Sequence, residues 1–453
     1  MRERSPVCAY EWRYGSQEMR QVFSRDNIVE AYKRVELALL ESLVELGVAP
    51  PEALDEAKKA ASELNAALVY EEEKKRGHDI ASLVFLIGRL GGEEAARWIH
   101  FGATSNDVID TAWALVIRDA LGIIKKRLRL LIEKLVALAE KHRYTVMPGR
   151  THGQHATPIT LGFKLANYVY ELARSYERIC DAEKRVLRVK LGGATGTMAS
   201  WHGYGLELRK VFASKLGLEP HIVSTQVAAR DGFAELAAVL AILASTLDRF
   251  AVEIRELARP EIHELWEERG SAIGSSAMPQ KANPVTAERI SGLARIARSL
   301  VHVFLENMVL WHERDLTNSS SERVAIPHLF LTIDQILIDA NDLVNRLRVD
   351  GDKMNRNLYL TMATATTEAL MNLLIQRAGL SREEAYSLAH KAAQKALQEK
   401  KPLWIAASEL PEIRKHLEDV DLEEVLRPEN YIGEAPRLVS EATSYARTVL
   451  EKC

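Results

Sequence analysis

The sequence predicts an all-α protein, and three observations carry that prediction. Ala, Leu, Glu, Arg and Lys are plentiful, while aromatic residues make up only 6% of the chain; that mix favours helices over sheets. Apolar residues recur at alternating steps of three and four along several long segments, which is the spacing of one helix face. No segment carries sustained strand alternation punctuated by hairpin turns.

The elements follow in order. The first hundred residues read as shorter helices, with "LGVAPPEAL" ending one and starting another and "KKRGHDI" breaking the next. Leu121, Ile124, Leu128, Leu131, Leu135 and Leu138 form the first long seam. The stretch 157–190 reads as a second long helix. Leu236, Leu240, Leu243, Leu247, Phe250, Ile254 and Leu257 mark a third, and 284–310 a fourth. Leu329, Ile333, Ile336, Ala340, Leu343 and Leu347 mark the fifth. Seams of this kind pack long helices at shallow angles into a bundle, and their wide apolar faces also suit burial between subunits. After about residue 350 the helices shorten again, with Ser381 as an N-cap ahead of acidic first-turn residues. "LRPENYIGEAPRL" reads as a turn before the last helix. At 453 residues the chain exceeds one ordinary core. The expected domains are an N-terminal helical domain (1–106), a central long-helix bundle (107–353) and a C-terminal helical domain (354–453).

Composition excludes several classes. A net charge of -3 gives no global basic field, which argues against a nucleic-acid partner and requires any anionic ligand to meet a local cluster of cations. The longest apolar run, Leu236 to Leu247, is twelve residues, against about 20 needed to span a membrane. No membrane partner is expected. The N-terminal stretch lacks an apolar core of signal-peptide length. Cys8, Cys180 and Cys453 are odd in number and far apart, neither a disulfide framework nor a zinc set, so a reducing, cytoplasmic setting is expected.

Five polar stretches interrupt the helices. "HFGATSNDVIDTA" (100–112) places Thr104, Ser105, Asn106 and Asp107 just ahead of a long helix. They read either as an N-cap, with Ser105 or Asn106 satisfying free N–H groups, or as an anion site built on the same groups. "GRTHGQHATP" (149–158) holds Arg150, Thr151, His152 and His155 between two long helices; metal ligation, general acid–base work and structural hydrogen bonding all remain open for its histidines. "RGHDI" carries His78 and Asp79 at a helix start, where an N-cap Asp is the plain reading. "LWHERDLTNSSSERV" (310–324) is either a solvated helix end or a phosphate- or carboxylate-binding cluster built on Arg314, Ser319 and Arg323. The fifth, "IGSSAMPQKANP" (273–284), lacks G-x-S-x-G and S-x-x-K. It does set Lys281 before an Asn283-Pro284 helix start, where cation, N–H groups and dipole can hold a developing negative charge.

Together these stretches resemble the fumarase/aspartase superfamily, whose members share a loop of the form GSSxMPxKxNP, here Gly274 to Pro284. Within it the chain is most similar to the adenylosuccinate lyases, through "WRYGSQEM", "GHDI", "GRTHGQHATP", "STQVAARD", "LWHERDLTNSSSER" and the C-terminal "NYIG". The resemblance implies an all-α fold of three helical domains, with the central bundle associating into a tetrameric helical core. It also implies a homotetramer with each active site shared among three chains. The implied activity is elimination of fumarate from adenylosuccinate, giving AMP, and from succinyl-aminoimidazole-carboxamide ribotide. No metal and no organic cofactor is implied.

The resemblance also implies roles for residues. Ser275 matches the base, an alkoxide that Lys281 and the helix N-terminus must stabilise. Lys281 and Asn283 match the groups that hold the dianionic intermediate, His152 the general acid, with Glu288 placed to orient it, and His78 a second histidine near the leaving group. Arg13, Tyr14, Arg314, Ser319 and Arg323 match nucleotide-binding positions. Thr104, Ser105 and Thr151 match positions for the succinyl carboxylates, and Gln226 matches another substrate contact. Asp79, Ser276 and Met278, from the matching motifs, are carried over as substrate-binding positions. The chain departs from the family at Gln280-Lys281-Ala282, the spelling usual in argininosuccinate lyase, while "HFGATSNDVIDT" is close to the carboxymuconate cycloisomerases. A sister lyase or cycloisomerase is therefore the alternative, and a non-catalytic crystallin-like scaffold is another.

Overall fold

The apolar seams are buried helix faces. Leu121, Ile124, Leu128, Leu131 and Leu135 are all 0% exposed, and of that set only Leu138 is half-buried. The seams beginning at Leu236 and Leu329 are buried throughout. The computed structural model, which describes residues 7–268, 278 and 280–453, has five long helices, Ser105–Lys141, Leu161–Val186, Asp231–Leu257, Val285–Glu306 and Thr317–Asn345; the three seams lie on the first, third and fifth, except that Leu347 falls in the short strand Leu347–Val349. The fold is the all-α one that the periodicity predicts.

Contacts divide the chain into two compact units. The first comprises Met1–Arg127, Glu177–Ser245 and Gly292–Ile338, and the second Leu128–Tyr176, Thr246–Ser291 and Asp339–Cys453. Each long helix contributes residues to both. The shorter helices start and stop where local chemistry dictates. Pro51 occupies the first position of the Pro51–Glu63 helix, where a missing N–H costs nothing. Gly77 ends the Ala66–Arg76 helix in the left-handed region, and Ser381 with Glu384 closes a reciprocal capping box on Arg382–Glu399. That last helix packs with its neighbours on a core of Leu370, Leu374, Ala389, Leu403, Ile413 and Leu426 in the second unit.

Among the described residues six short strands stand between the helices: β1 (Val146–Thr151), β2 (Gln154–Thr160), β3 (Arg188–Val189), β4 (Glu219–Pro220), β5 (Leu265–Glu267) and β6 (Leu347–Val349). They pair as β1–β2, β3–β4 and β5–β6. The β1–β2 hairpin corrects the expectation of a plain loop at 149–158 and of a helix from 157. β1 and β2 are antiparallel, with Thr151 opposite Gln154, so His152 and Gly153 alone form the turn. Both have positive φ, 52° and 73°, the conformation that matches strand twist in a two-residue hairpin. The register shifts between Pro148 and Arg150. Gly149 sits in that bulge against the Thr157 carbonyl, where a Cβ would collide.

The cysteines also depart from expectation: Cys180 and Cys453 are each disulfide-bonded, and Cys8 is a free thiol.

Candidate functional site

The first unit assembles three of the polar stretches. The Ser105–Lys141 helix begins on a buried anchor, Asp107, at 1% exposure. Its carboxylate accepts from Lys190 Nζ at 2.7 Å, from the Gly192 N–H at 2.7 Å and from the Thr104 N–H at 2.8 Å. The return bond from Asp107 to Thr104 is the carboxylate half of a capping box. Ser105 and Asn106 are therefore released from the capping role the sequence suggested, and both side chains point elsewhere.

Ser105 Oγ lies 3.2 Å from His78 Nε2. His78, rather than Asp79, is the N-cap of the Asp79–Gly91 helix, and its Nδ1 accepts from the Ala81 N–H at 3.4 Å. The same Nδ1 lies 3.3 Å from Asp79 Oδ1, so the ring stands between that carboxylate and the Ser105 hydroxyl. Asp79 is buried and accepts from Arg323 Nη2 at 2.7 Å, so two residues expected to bind substrate bind each other. Burial would pull Arg323 down, but Asp79 outweighs it and holds the guanidinium above its ordinary value.

Arg314 meets two amides, those of Gln226 and, turned so that its oxygen faces the donors, Asn106. Gln226 Oε1 accepts from Arg314 Nη1 at 3.0 Å, and Gln226 Nε2 donates to the Ala194 carbonyl at 2.9 Å. Behind this pair Arg230 is 3% exposed and grips two buried carboxylates. Its two terminal nitrogens bond Asp110 at 3.0 and 2.8 Å, and its Nε bonds Glu322 at 2.9 Å. Burial pushes the Glu322 carboxyl up despite Arg230. Ser319 lies half-buried on the first turn of Thr317–Asn345. Arg13 is exposed, with its guanidinium 5.8 Å from the centre of the Tyr14 ring.

The second unit carries two further groups. At the hairpin tip Thr151 and His152 are exposed, and Arg150 anchors the base by donating two hydrogen bonds to Glu264, at 2.9 and 2.6 Å. Glu264 is fully buried and also accepts from Asn357 Nδ2 at 2.6 Å. His155 is held below its ordinary value by burial and by Arg150.

The other group is the end of the Gly-Ser loop. Ser275 and Ser276 lie outside the described residues. Met278, Lys281 and Glu288 are exposed and Asn283 is half-buried. The following helix opens at Val285, one residue later than expected, with the Pro284 carbonyl accepting from the Glu288 N–H at 2.9 Å. Its first turn is tied down where Glu267 accepts from the Thr286 N–H at 3.1 Å. A cavity of ≈490 Å³ is lined by Lys281 and Asn283 with Arg255, Arg259 and His263. Among the described residues no hydrogen bond links Glu288 to His152.

In the first unit a cation set and a histidine–hydroxyl pair suit chemistry on an anion, and in the second a lysine beside a helix N-terminus does so separately. The comparisons agree. Residues 13–298 match the family described as Lyase, and residues 364–442 match the adenylosuccinate lyase C-terminus. An adenylosuccinate lyase of Methanocaldococcus jannaschii is 41% identical over 443 residues, covering 97% of this chain and 96% of that protein. One from Methanothermobacter thermautotrophicus is 42% identical over 433 residues, covering 95% and 96%. The chain belongs to the adenylosuccinate lyase family. Among solved structures, the 3-carboxy-cis,cis-muconate lactonizing enzyme of Pseudomonas putida superposes with a TM-score of 0.87 at 30% identity, covering 98% of this chain and 100% of that one. An adenylosuccinate lyase fold thus carries the hairpin, the capped loop and the amide-held arginine described above.

Sequence reasoning missed Asn106 as more than a cap, and missed Lys190, Asp110, Arg230 and Glu322. Arg230 and Glu322 lie inside motifs that carry the resemblance, "STQVAARD" and "LTNSSSER", which was a usable signal. For Lys190 nothing in the sequence pointed to a buried partner.

Proposed function

We propose that this chain cleaves adenylosuccinate to AMP and fumarate by β-elimination, and acts likewise on succinyl-aminoimidazole-carboxamide ribotide. The observation that carries the proposal is identity of 41–42% to adenylosuccinate lyases over nearly the whole chain. Elimination removes a proton beside a carboxylate, and the carbanion survives only if its charge spreads into that carboxylate. In this reading Ser275 takes the proton and Lys281 and Asn283 hold the resulting dianion. His152, oriented by Glu288, protonates the departing nitrogen, and His78 stands near the phosphate and leaving group. Arg13, Tyr14, Arg314, Ser319 and Arg323 receive the nucleotide. Thr104, Ser105 and Thr151 receive the succinyl carboxylates, and Asp79, Gln226, Ser276 and Met278 complete the pocket. The chemistry asks for acid, base and cations and for no metal or organic cofactor.

The proposed assembly is a cytoplasmic homotetramer whose sites are shared between subunits. Two features support it. Glu288 does not reach His152 within one chain among the described residues. The Val285–Glu306 helix and its exit also expose Ile296, Leu305, Met308, Val309 and Trp311 at 45–76%, apolar side chains close in sequence that suit burial against a partner.

A second reading, a carboxymuconate cycloisomerase, is favoured by the likeness to the Pseudomonas putida enzyme. Offering the purified protein adenylosuccinate, argininosuccinate and 3-carboxymuconate separately, and following fumarate or lactone, decides between them. Absence of fumarate from adenylosuccinate would sink the first reading.

A further inference from the structure

We propose that Asn106 is a positioning residue that holds Arg314 as an unneutralised cation for the anionic group of the ligand. The inference rests on the function proposed above, in which that anion is the nucleotide phosphate.

Two neutral amide oxygens hold the guanidinium. Gln226 Oε1 accepts from Nη1 at 3.0 Å. With its amide turned so that oxygen faces the donors, Asn106 accepts from Nη1 at 2.7 Å and from Nη2 at 3.2 Å. Asn106 is 2% exposed and sits in the first turn of a helix fixed by Asp107, so its oxygen is placed by a rigid element.

Three carboxylates act on Arg314 electrostatically, namely Asp110, Glu322 and Asp315. Each is committed elsewhere. Asp110 and Glu322 bond Arg230, and Asp315 accepts from the Trp311 and Thr317 N–H groups. Among the described residues no carboxylate hydrogen-bonds Arg314. The Arg230 cluster holds two carboxylates against one guanidinium, so it carries an excess negative charge. Burial pulls Arg314 below its ordinary value and Arg230 adds to that pull, while the three carboxylates oppose it without occupying its donors. A guanidinium in this state retains its full charge and an Nη2 hydrogen, which suits a phosphate or carboxylate oxygen. An aspartate at 106 would keep the geometry and cancel the charge.

The test measures AMP binding by calorimetry for the wild type, Asn106→Asp, Asn106→Ala, Arg314→Gln and the Asn106→Asp/Arg314→Gln double variant. Asn106→Asp and Arg314→Gln should each weaken AMP about tenfold, the size of one lost ionic contact. The double variant should be no weaker than Arg314→Gln alone, because both act through one group. Asn106→Ala, which adds no charge, should lose less than Asn106→Asp, while a purely structural role predicts the reverse. In turnover of adenylosuccinate the loss should fall on KM more than on kcat. AMP affinity unchanged in Asn106→Asp, or losses that multiply in the double variant, overturns the proposal. If the wild type binds AMP with this pattern but does not cleave adenylosuccinate, the clamp stands and the assigned reaction falls. If it cleaves adenylosuccinate with the same KM in the wild type and Asn106→Asp, the clamp falls and the reaction stands.

Discussion

Arg150 lays both terminal nitrogens of its guanidinium on the two carboxylate oxygens of Glu264, at 2.9 and 2.6 Å. The acceptor is 0% exposed, so the pair fixes the base of the hairpin whose tip is His152. The histidine is thereby placed by a strand and an ion pair instead of by its own contacts.

Arg150→Met should leave that carboxylate buried with only Asn357 as partner. Removing one member of a buried pair costs about 3–5 kcal/mol, and the hairpin should lose its fixed angle. The expected result is a lower urea midpoint together with reduced turnover, both recovered in part by the double change Arg150→Met/Glu264→Leu. A midpoint within error of the wild type would show that the pair does not anchor the hairpin.

His152→Ala and Ser275→Ala should each abolish turnover while leaving thermal stability close to that of the wild type, because His152 is exposed at a turn and surface changes are usually within about 0.5 kcal/mol. Thermal melts and fumarate release check both halves. Near-normal rates in either variant remove that residue from its role.

Arg230→Met should strand Asp110 and Glu322 together in the interior, at a cost of about 3–5 kcal/mol. Burial already raises the Glu322 carboxyl in the wild type. A carboxyl raised on folding opposes stability above its unfolded value, and the opposition grows as pH climbs through the folded value. The variant's denaturation midpoint should therefore fall more steeply than the wild type's as pH rises from the ordinary carboxylate range through the raised folded value. Parallel curves would argue that water reaches the cluster.

His100 pairs with the fully buried Glu36, with Nδ1 2.7 Å from Oε1. Burial alone would pull the imidazole down, but Glu36 outweighs it and holds it above its ordinary value. The stabilisation is thus present in full below the unfolded value of about 6.5 and fades as pH rises through the higher folded value. His100→Asn keeps a residue tolerant of the φ of 63° found there. Its stability should lack the wild type's decline across that window in pH-dependent melts.

The long helices were legible because a 3.6-residue period sustained over 22 to 37 residues outweighs local noise. The hairpin was not. Pro148, Gly149 and Pro158 break the alternation that marks a strand, and its turn uses His-Gly where Asn-Gly is the usual signal. At the candidate site the motifs exposed His78, Ser105, Arg314 and Arg323 as residues, yet their pairings stayed hidden. Asp79 with Arg323, and Asp110 with Arg230 and Glu322, join positions far apart in the chain, and no local pattern encodes such contacts. The opposite error came from capping preference: Ser105 and Asn106 are good caps in isolation, but a buried Asp107 pinned by Lys190 took the task and freed both.

β5 is only three residues long, and acids at its two ends serve different clients. Glu264, just before it, holds the hairpin through Arg150, and Glu267, its last residue, holds the first turn of the helix that follows the Gly-Ser loop. Because strand side chains alternate faces, a single inserted or deleted residue here would detach one client or the other. The segment therefore behaves as a fixed spacer, pinned in the core by Leu265 at 1% exposure and intolerant of a change in length.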